Sequence, residues 1–315
     1  MKAKGLSLLS GGLDSQLAVR VLERAGAEVE AVAFETPFFD CAKARAAAAA
    51  LGVKLHVVDF LEDIVSLVEA PPHGFGGAMN PCIDCHALMI RRAGEMMARL
   101  GYDFVATGEV RGQRPMSQNA QSLATVEKAS GLKGRLVRPL SAKLLEPTIP
   151  ETEGRLDREK LLDISGRSRD RQMALAAEFG IVDYPSPAGG CKLTEDAFGR
   201  RLRDLMEHEG LRTPSGAANR ELIGLLGIGR RFRLPDGSSV ILGRDAEENA
   251  RLRSCGAGIS RRVVVEPQGR APGPTALVPD LRGAGDLEIA KGIVRAWSRG
   301  TTEQDRAPFK RYQIT

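Results

Sequence analysis

The chain has 315 residues, 43% apolar and 27% charged, which excludes a disordered or fibrous chain and suits two domains, three at most. No apolar run reaches the roughly 18 residues of a membrane span, and the N-terminus enters a strand directly rather than a signal sequence, so a cytoplasmic protein without a membrane partner is expected. A net charge of +5 permits a polyanionic partner such as RNA without requiring one, and five cysteines argue for chemistry or metal binding rather than a disulfide framework.

Residues 4–9 read as a short buried strand, and residues 16–25 carry apolar side chains at helical spacing. Between them lies Ser10-Gly11-Gly12-Leu13-Asp14-Ser15. A glycine-rich turn at a helix N-terminus offers unpaired N–H groups and the positive end of a helix dipole to an anion. Ser10 and Ser15 add hydroxyl donors, and Asp14 can hold a magnesium ion or cap the helix. A second strand (residues 29–34), an alanine-rich helix (40–51) and a third strand (53–58) follow. That alternation predicts a parallel sheet with helices on both faces. Ligands of such sheets bind beyond the carboxyl ends of the strands, which places an adenine near Ala33 and Phe34. Cys41 and His56 read as structural.

Residues 70–79 form a loop, and Asn80-Pro81-Cys82-Ile83-Asp84-Cys85-His86 runs into an amphipathic helix ending near Leu100. Cys82 and Cys85 then share one side of the first turn, where thiol pKa values fall. A strand at 103–107 leads to Gly108-Glu109-Val110-Arg111-Gly112-Gln113-Arg114-Pro115-Met116-Ser117-Gln118. Another strand is read at 136–140, and helix over 155–180 with a Ser-Gly-Arg-Ser-Arg break at 165–169 before its second part, Met173 to Phe179; Arg167, Arg169 and Arg171 are candidate phosphate or RNA contacts. Two prolines and two glycines ahead of Cys191 make an extended loop that delivers this cysteine just before a helix at 197–209. A linker at 211–219 precedes a hairpin turning at Asp236-Gly237, a helix, two strands and a closing helix at 287–297.

Three of these stretches resemble known motifs. Ser-Gly-Gly-x-Asp-Ser resembles the PP-loop of the ATP-dependent adenylating family that includes tRNA thiouridylases, tRNA lysidine synthetase and GMP synthetase. Thr-Gly-Glu-x-x-Gly-Gln with the following Ser-Gln resembles the second nucleotide motif of tRNA 4-thiouridine synthetases, with one extra residue before Ser117. Asn-Pro-Cys-x-x-Cys resembles the motif of tRNA 2-thiouridylases. The resemblance implies a doubly wound, HUP-like α/β domain over residues 1–210. It implies an ATP and Mg2+ site formed by Ser10, Gly11, Gly12, Asp14, Ser15, Ala33, Phe34, Arg91, Gly108 and Gln118. The implied reaction is adenylation of a tRNA uridine carbonyl oxygen and its replacement by sulfur, with Cys82, Cys85, Cys191 and Asp14 as catalytic groups.

Three thiolates suit a [4Fe–4S] cluster with an open iron, the route expected first. The other is a persulfide on Cys191 resolved by Cys82 or Cys85. The sulfur donor would be sulfide, a cysteine desulfurase or a carrier protein. Residues 220–315, a smaller α+β domain, resemble the RNA-binding segment of the NFACT family, which implies RNA contact through Arg230, Arg231, Arg233 and Arg244. Two rival functions remain open here: sulfur transfer to a small molecule, and RNA binding without catalysis.

Overall fold

The computed structural model describes residues 2–185, 191–255, 262–267 and 272–314. It divides into two compact units, one of residues 1–76 and 80–191, the other of residues 77–79 and 192–315.

The first unit holds β1 (Lys4–Leu8), α1 (Leu13–Arg24), β2 (Glu28–Glu35), α2 (Ala42–Leu51), β3 (Leu55–Asp59), α3 (Leu61–Glu69), α4 (Cys82–Leu100), β4 (Phe104–Ala106), α5 (Ala120–Ser130), β5 (Leu136–Val137), α6 (Ile149–Thr152) and α7 (Asp170–Glu178). Its sheet is parallel throughout, in the order β3-β2-β1-β4-β5, the architecture expected from the strand–helix alternation. In β1 the register sets Ser7 opposite Ala31 of β2 and Ala106 of β4. The chain builds β1, β2 and β3 outward in one direction, then returns to place β4 on the other side of β1. That reversal is the switch point at which such sheets open a crevice. The loops leaving β1 and β4, residues 9–12 and 107–119, therefore emerge side by side.

The apolar stripe of α1 (Leu13, Leu17, Val21, Leu22) packs with Ala47, Ala48 and Leu51 of α2 and Ala176 of α7 in one buried cluster. The second part of the helical reading forms, as Asp170–Glu178, after the break at 165–169; the first part does not, apart from one 3-10 turn at Arg158–Lys160. Leu156, Leu161 and Ile164 are buried from an irregular strand-like run instead. Its amides bond the carbonyls of Pro139 and Leu140 (Leu162 N to Pro139 O 2.9 Å; Ile164 N to Leu140 O 2.8 Å), so tertiary partners replace the i−4 carbonyls a helix would use. Helices α3 and α5 have no counterpart among the expected elements.

The second unit holds α8 (Asp196–His208), α9 (Arg220–Gly224), β6 (Arg230–Arg233), β7 (Ser239–Leu242), α10 (Ala246–Ser254), β8 (Val263–Val265), β9 (Ala276–Val278), α11 (Ala284–Ala296), α12 (Glu303–Arg306) and β10 (Gln313–Ile314). Its strands form an antiparallel sheet in the order β10-β6-β7-β9-β8. The hairpin at Asp236-Gly237 forms as read, with Phe232 facing Val240. Buried Asp286 accepts from the amides of Asp236 (3.1 Å) and Ser238 (3.0 Å). No helix among the described residues is long and apolar enough to cross a membrane.

Candidate active site

The phosphate-loop stretch leaves β1 and turns into α1. Gly11 has φ +79°, and a Cβ there would lie 2.5 Å from the Lys43 carbonyl group, so both its left-handed backbone and its contact with α2 call for glycine. Ser15 Oγ donates to the Gly12 carbonyl at 2.8 Å and accepts from the Ser10 amide at 3.3 Å. These bonds hold the turn without a side-chain cap on α1. Gln16 Nε2 donates to the carbonyls of Gly11 and Asp183, each at 3.0 Å, fastening the loop to the segment that leads toward Cys191. Ser186 to Gly190, including the glycines read as flanking Cys191, lie outside the described residues.

Gly108, just past β4, meets this turn directly. A Cβ there would fall 2.6 Å from the Asp14 carbonyl carbon and 2.7 Å from the Ser15 nitrogen. Gln113 Nε2 then donates to Asp14 Oδ2 at 2.9 Å, while Asp14 Oδ1 is buried with no partner. Burial raises the Asp14 pKa, against the Gln113 hydrogen bond and the charges of Arg169 and Arg114. Gln118 is 8% exposed, and its Oε1 also lacks a partner.

The cysteine motif sits at the start of α4, with both thiols in the first turn. The two differ in environment. Burial opposes ionisation of Cys82, yet its pKa falls because His86 and Ser117 hydrogen-bond its sulfur and the charges of His86 and Arg114 stabilise a thiolate. Burial pushes the Cys85 thiol well up, and the charges of Cys191 and Cys82 push it further. Cys191 therefore lies within electrostatic range of the motif despite more than a hundred intervening residues. None of the five cysteines forms a disulfide.

Behind Cys82 runs a polar chain. His86 Nδ1 lies 3.2 Å from Glu109 Oε1. The other oxygen of Glu109 accepts from Arg138 Nε at 3.0 Å and Thr107 Oγ1 at 3.0 Å. Arg138, 3% exposed, also bonds Glu127 and the Leu123 carbonyl, each at 3.0 Å. Burial would raise the Glu109 pKa, but His86 and Arg138 bring it to about 2. Burial would lower His86, but its bonds to Cys82 and Glu109 raise it to about 10. His86 thus lies between the Cys82 sulfur and the Glu109 carboxylate, and both raise its pKa.

Of the remaining residues read from the sequence, Ala33 and Phe34 are 4% and 6% exposed. Phe34 stacks edge-on against Phe60 at 5.1 Å, and its carbonyl accepts from Cys41, which confirms Cys41 as a packing residue. Arg91 bonds the Ala129 carbonyl at the end of α5. Arg233 pairs with Asp204 and Glu209 at 2.6 Å each, Arg244 with Glu248, and Arg231 is 2% exposed. Two of the four arginines implied as RNA contacts are thus paired inside their own unit, and a third, Arg231, is buried in it. His86, Glu109, Gln113 and Arg138 were assigned no firm role from sequence. The available signal was a lone charge in the apolar run 136–140, since a buried arginine demands an acid partner.

Three thiols are the ligand number of a [4Fe–4S] cluster with an open iron, and the charges of Cys191 and Cys82 both reach Cys85. Among the described residues no group of three or more His, Cys, Asp or Glu side chains is arranged to hold a metal. Ligation would also require His86 and Ser117 to release Cys82, and Cys85 to give up its proton. A magnesium ion fits at Asp14, whose Oδ1 is a buried oxygen without a partner.

A parallel sheet with a Gly-Gly turn at its switch point defines a doubly wound α/β domain. Residues 1–143 match the family model described as thiamine biosynthesis protein (ThiI). The chain is 37% identical over 120 residues to the tRNA-specific 2-thiouridylase MnmA of Sulfurimonas denitrificans, covering 34% of this chain and 35% of that protein. It is 26% identical over 233 residues to MnmA 1 of Syntrophus aciditrophicus, covering 67% and 57%. It is 26% identical over 287 residues to MnmA of Marinobacter nauticus, covering 83% and 68%. A 4-thiouridine synthetase–RNA complex with bound ATP superposes with a TM-score of 0.40 and 23% identity, over 56% of this chain and 41% of that one. The chain thus spans about a third of the first of these relatives and just over half of the second, and its likeness is to the PP-loop enzymes that thiolate tRNA.

Proposed function

We propose that the chain is an ATP-dependent tRNA thiouridine synthase that carries sulfur on cysteine. ATP binds at Ser10–Ser15. A uridine carbonyl oxygen attacks the α-phosphorus, pyrophosphate leaves, and that oxygen becomes part of an AMP leaving group. Magnesium, when bound, would neutralise phosphate charge, and Asp14 is the residue that would hold it. Cys191 carries a persulfide. The Cys82 thiolate attacks its inner sulfur, the bond to the terminal sulfur breaks, and hydrosulfide is released. Hydrosulfide adds to the activated carbon, AMP departs, and a Cys82–Cys191 disulfide remains for an external dithiol to reduce. The protein contributes position and fixed charge.

The observation that supports this reading best is the course of residues 108–117. One loop touches the phosphate turn through Gly108 and Gln113 and the sulfur chemistry through Glu109 and Ser117. An adenylate formed at one end would lie within reach of a thiolate at the other. The NFACT-like second unit is assigned to RNA, with Arg230 and the exposed Arg200 and Arg203 of α8 as the grip in place of the internally paired arginines; Arg200 and Arg203 line a pocket of about 220 Å³ in that unit.

The test is anaerobic incubation with ATP, unmodified tRNA, a dithiol and a cysteine desulfurase with cysteine as persulfide donor, scoring AMP, pyrophosphate and thionucleoside. Thionucleoside formed by colourless, iron-free protein and lost in Cys191→Ser supports the reading. Activity that appears only with about four irons per chain, a cluster's complement, replaces the persulfide by a cluster. AMP release without tRNA, and with a small thiol product, moves the substrate elsewhere.

A further inference from the structure

More positive charge gathers at Asp14 than the phosphate turn itself supplies. Gly166 N donates to the Arg111 carbonyl at 2.8 Å, and a Cβ on Gly112 would sit 3.4 Å from the Gly166 nitrogen. The strand-like run before α7 is thereby pinned alongside the loop after β4. Arg169, at the N-cap of α7, and Arg114, next in sequence to the Gln113 that bonds Asp14, are brought toward one carboxylate from two separate segments. Both charges act on Asp14.

Neither guanidinium is there to serve Asp14. Oδ2 is taken by Gln113 and Oδ1 has no partner, so no arginine nitrogen bonds it. Arg169 Nε is itself buried without a partner, and among the described residues the Arg114 side chain makes no ion pair or hydrogen bond. Three nearby arginines are committed elsewhere: Arg171 pairs with Asp163 at 2.7 Å, Arg111 bonds the Leu144 carbonyl at 3.3 Å, and Arg138 is locked to Glu109. A multiply charged anion at this helix N-terminus would give both guanidiniums a partner.

We propose that Arg114 and Arg169 are the phosphate-binding cations of this site, closing on the nucleotide from the loop after β4 and the start of α7. The inference rests on reading the turn at Ser10–Ser15 as an ATP site.

The experiment titrates a fluorescent ATP analogue with magnesium into the full chain, without RNA, at low ionic strength. Arg114→Ala, Arg169→Ala and the exposed control Lys128→Ala are compared, with melting temperatures recorded. Each arginine variant is expected to weaken binding about tenfold or more, the worth of one charge-assisted hydrogen bond, and the control to bind like wild type. Arg114→Lys and Arg169→Lys, which keep the charge, should recover part of the loss and serve where an alanine variant fails to fold. Variants that bind the nucleotide like wild type overturn the assignment. So does a loss confined to tRNA affinity, which would give these cations to RNA. Wild-type protein that binds no nucleotide overturns the ATP reading, and this assignment with it.

Discussion

Gln113 donates its side-chain amide to Asp14 across 99 residues of sequence, at 2.9 Å. The bond joins the loop after β4 to the first turn of α1, two segments the sheet's reversal brings side by side. It leaves one Asp14 oxygen free of protein partners. A carboxylate held by one amide and open on its other oxygen is oriented without being neutralised, as a group awaiting a cation requires.

The same junction can be broken by one methyl group. A Cβ on Gly108 would fall 2.6 Å from the Asp14 backbone, and backbone cannot swing aside as a flexible side chain can. Gly108→Ala is expected to cost about 1–3 kcal/mol, the usual range for overpacking, and to weaken nucleotide binding by displacing the start of α1. Gly224→Ala in α9 meets nothing within 4 Å and should leave the melting temperature unchanged or raised. Calorimetric melting and nucleotide titration check both. An unchanged Gly108→Ala protein would show that the turn yields.

The two thiols of the motif should separate in alkylation. Cys82 is held toward thiolate by His86 and Ser117, whereas burial and neighbouring sulfur charges keep Cys85 protonated. Iodoacetamide at neutral pH, mapped by mass spectrometry, is expected to modify Cys82 well before Cys85. His86→Ala should slow Cys82 by up to about tenfold, since one unit of thiol pKa changes the thiolate fraction about that much. Equal rates at the two cysteines would remove the distinction between them.

The buried Glu109–His86 pair sets opposite pH limits. Glu109 titrates at about 2, below its ordinary 4.5, so its contribution is present above 4.5 and lost as pH falls toward 2. His86 titrates at about 10, above its ordinary 6.5, so its contribution is full below 6.5 and lost as pH rises toward 10. Melting temperature against pH should therefore fall on both sides, and Glu109→Gln should flatten the acid limb. His86→Gln should flatten the alkaline one. A variant profile parallel to wild type on the corresponding side would assign that limb to other groups.

Much of this site was legible because it is local in sequence. A Gly-Gly turn between strand and helix, and two cysteines three apart ahead of an amphipathic run, are read within a dozen residues. What escaped depends on long separations. Arg138 meets Glu109 across 29 residues, and the His86–Glu109 contact exists only because α4 precedes β4 in a parallel sheet. The region 155–164 misled because leucines at helical spacing also suit an irregular run covering one sheet face. In the second unit, arginines alternating along β6 look like a solvated strand, yet α8 supplies Asp204 and α8's end Glu209 to neutralise Arg233.

That last arrangement carries its own prediction. Arg233 binds Asp204 through two nitrogens (3.0 and 2.6 Å) and Glu209 through two (2.6 and 2.9 Å), with both carboxylates about nine-tenths buried (12% and 9% exposed). Arg233→Ala would leave two acids facing each other below β6 with no bidentate cation between them. Breaking a buried pair from one side typically costs about 3–5 kcal/mol, so this variant should melt well below wild type. If Arg233 is structural, Arg233→Lys should recover only part of that loss, because an ammonium cannot bridge both carboxylates in the same plane. RNA affinity of the folded fraction, measured below the lowered melting point and across a salt series, should keep the wild-type slope, since no phosphate contact has been removed. A protein of normal stability whose salt slope drops by about one would instead place Arg233 on the RNA backbone.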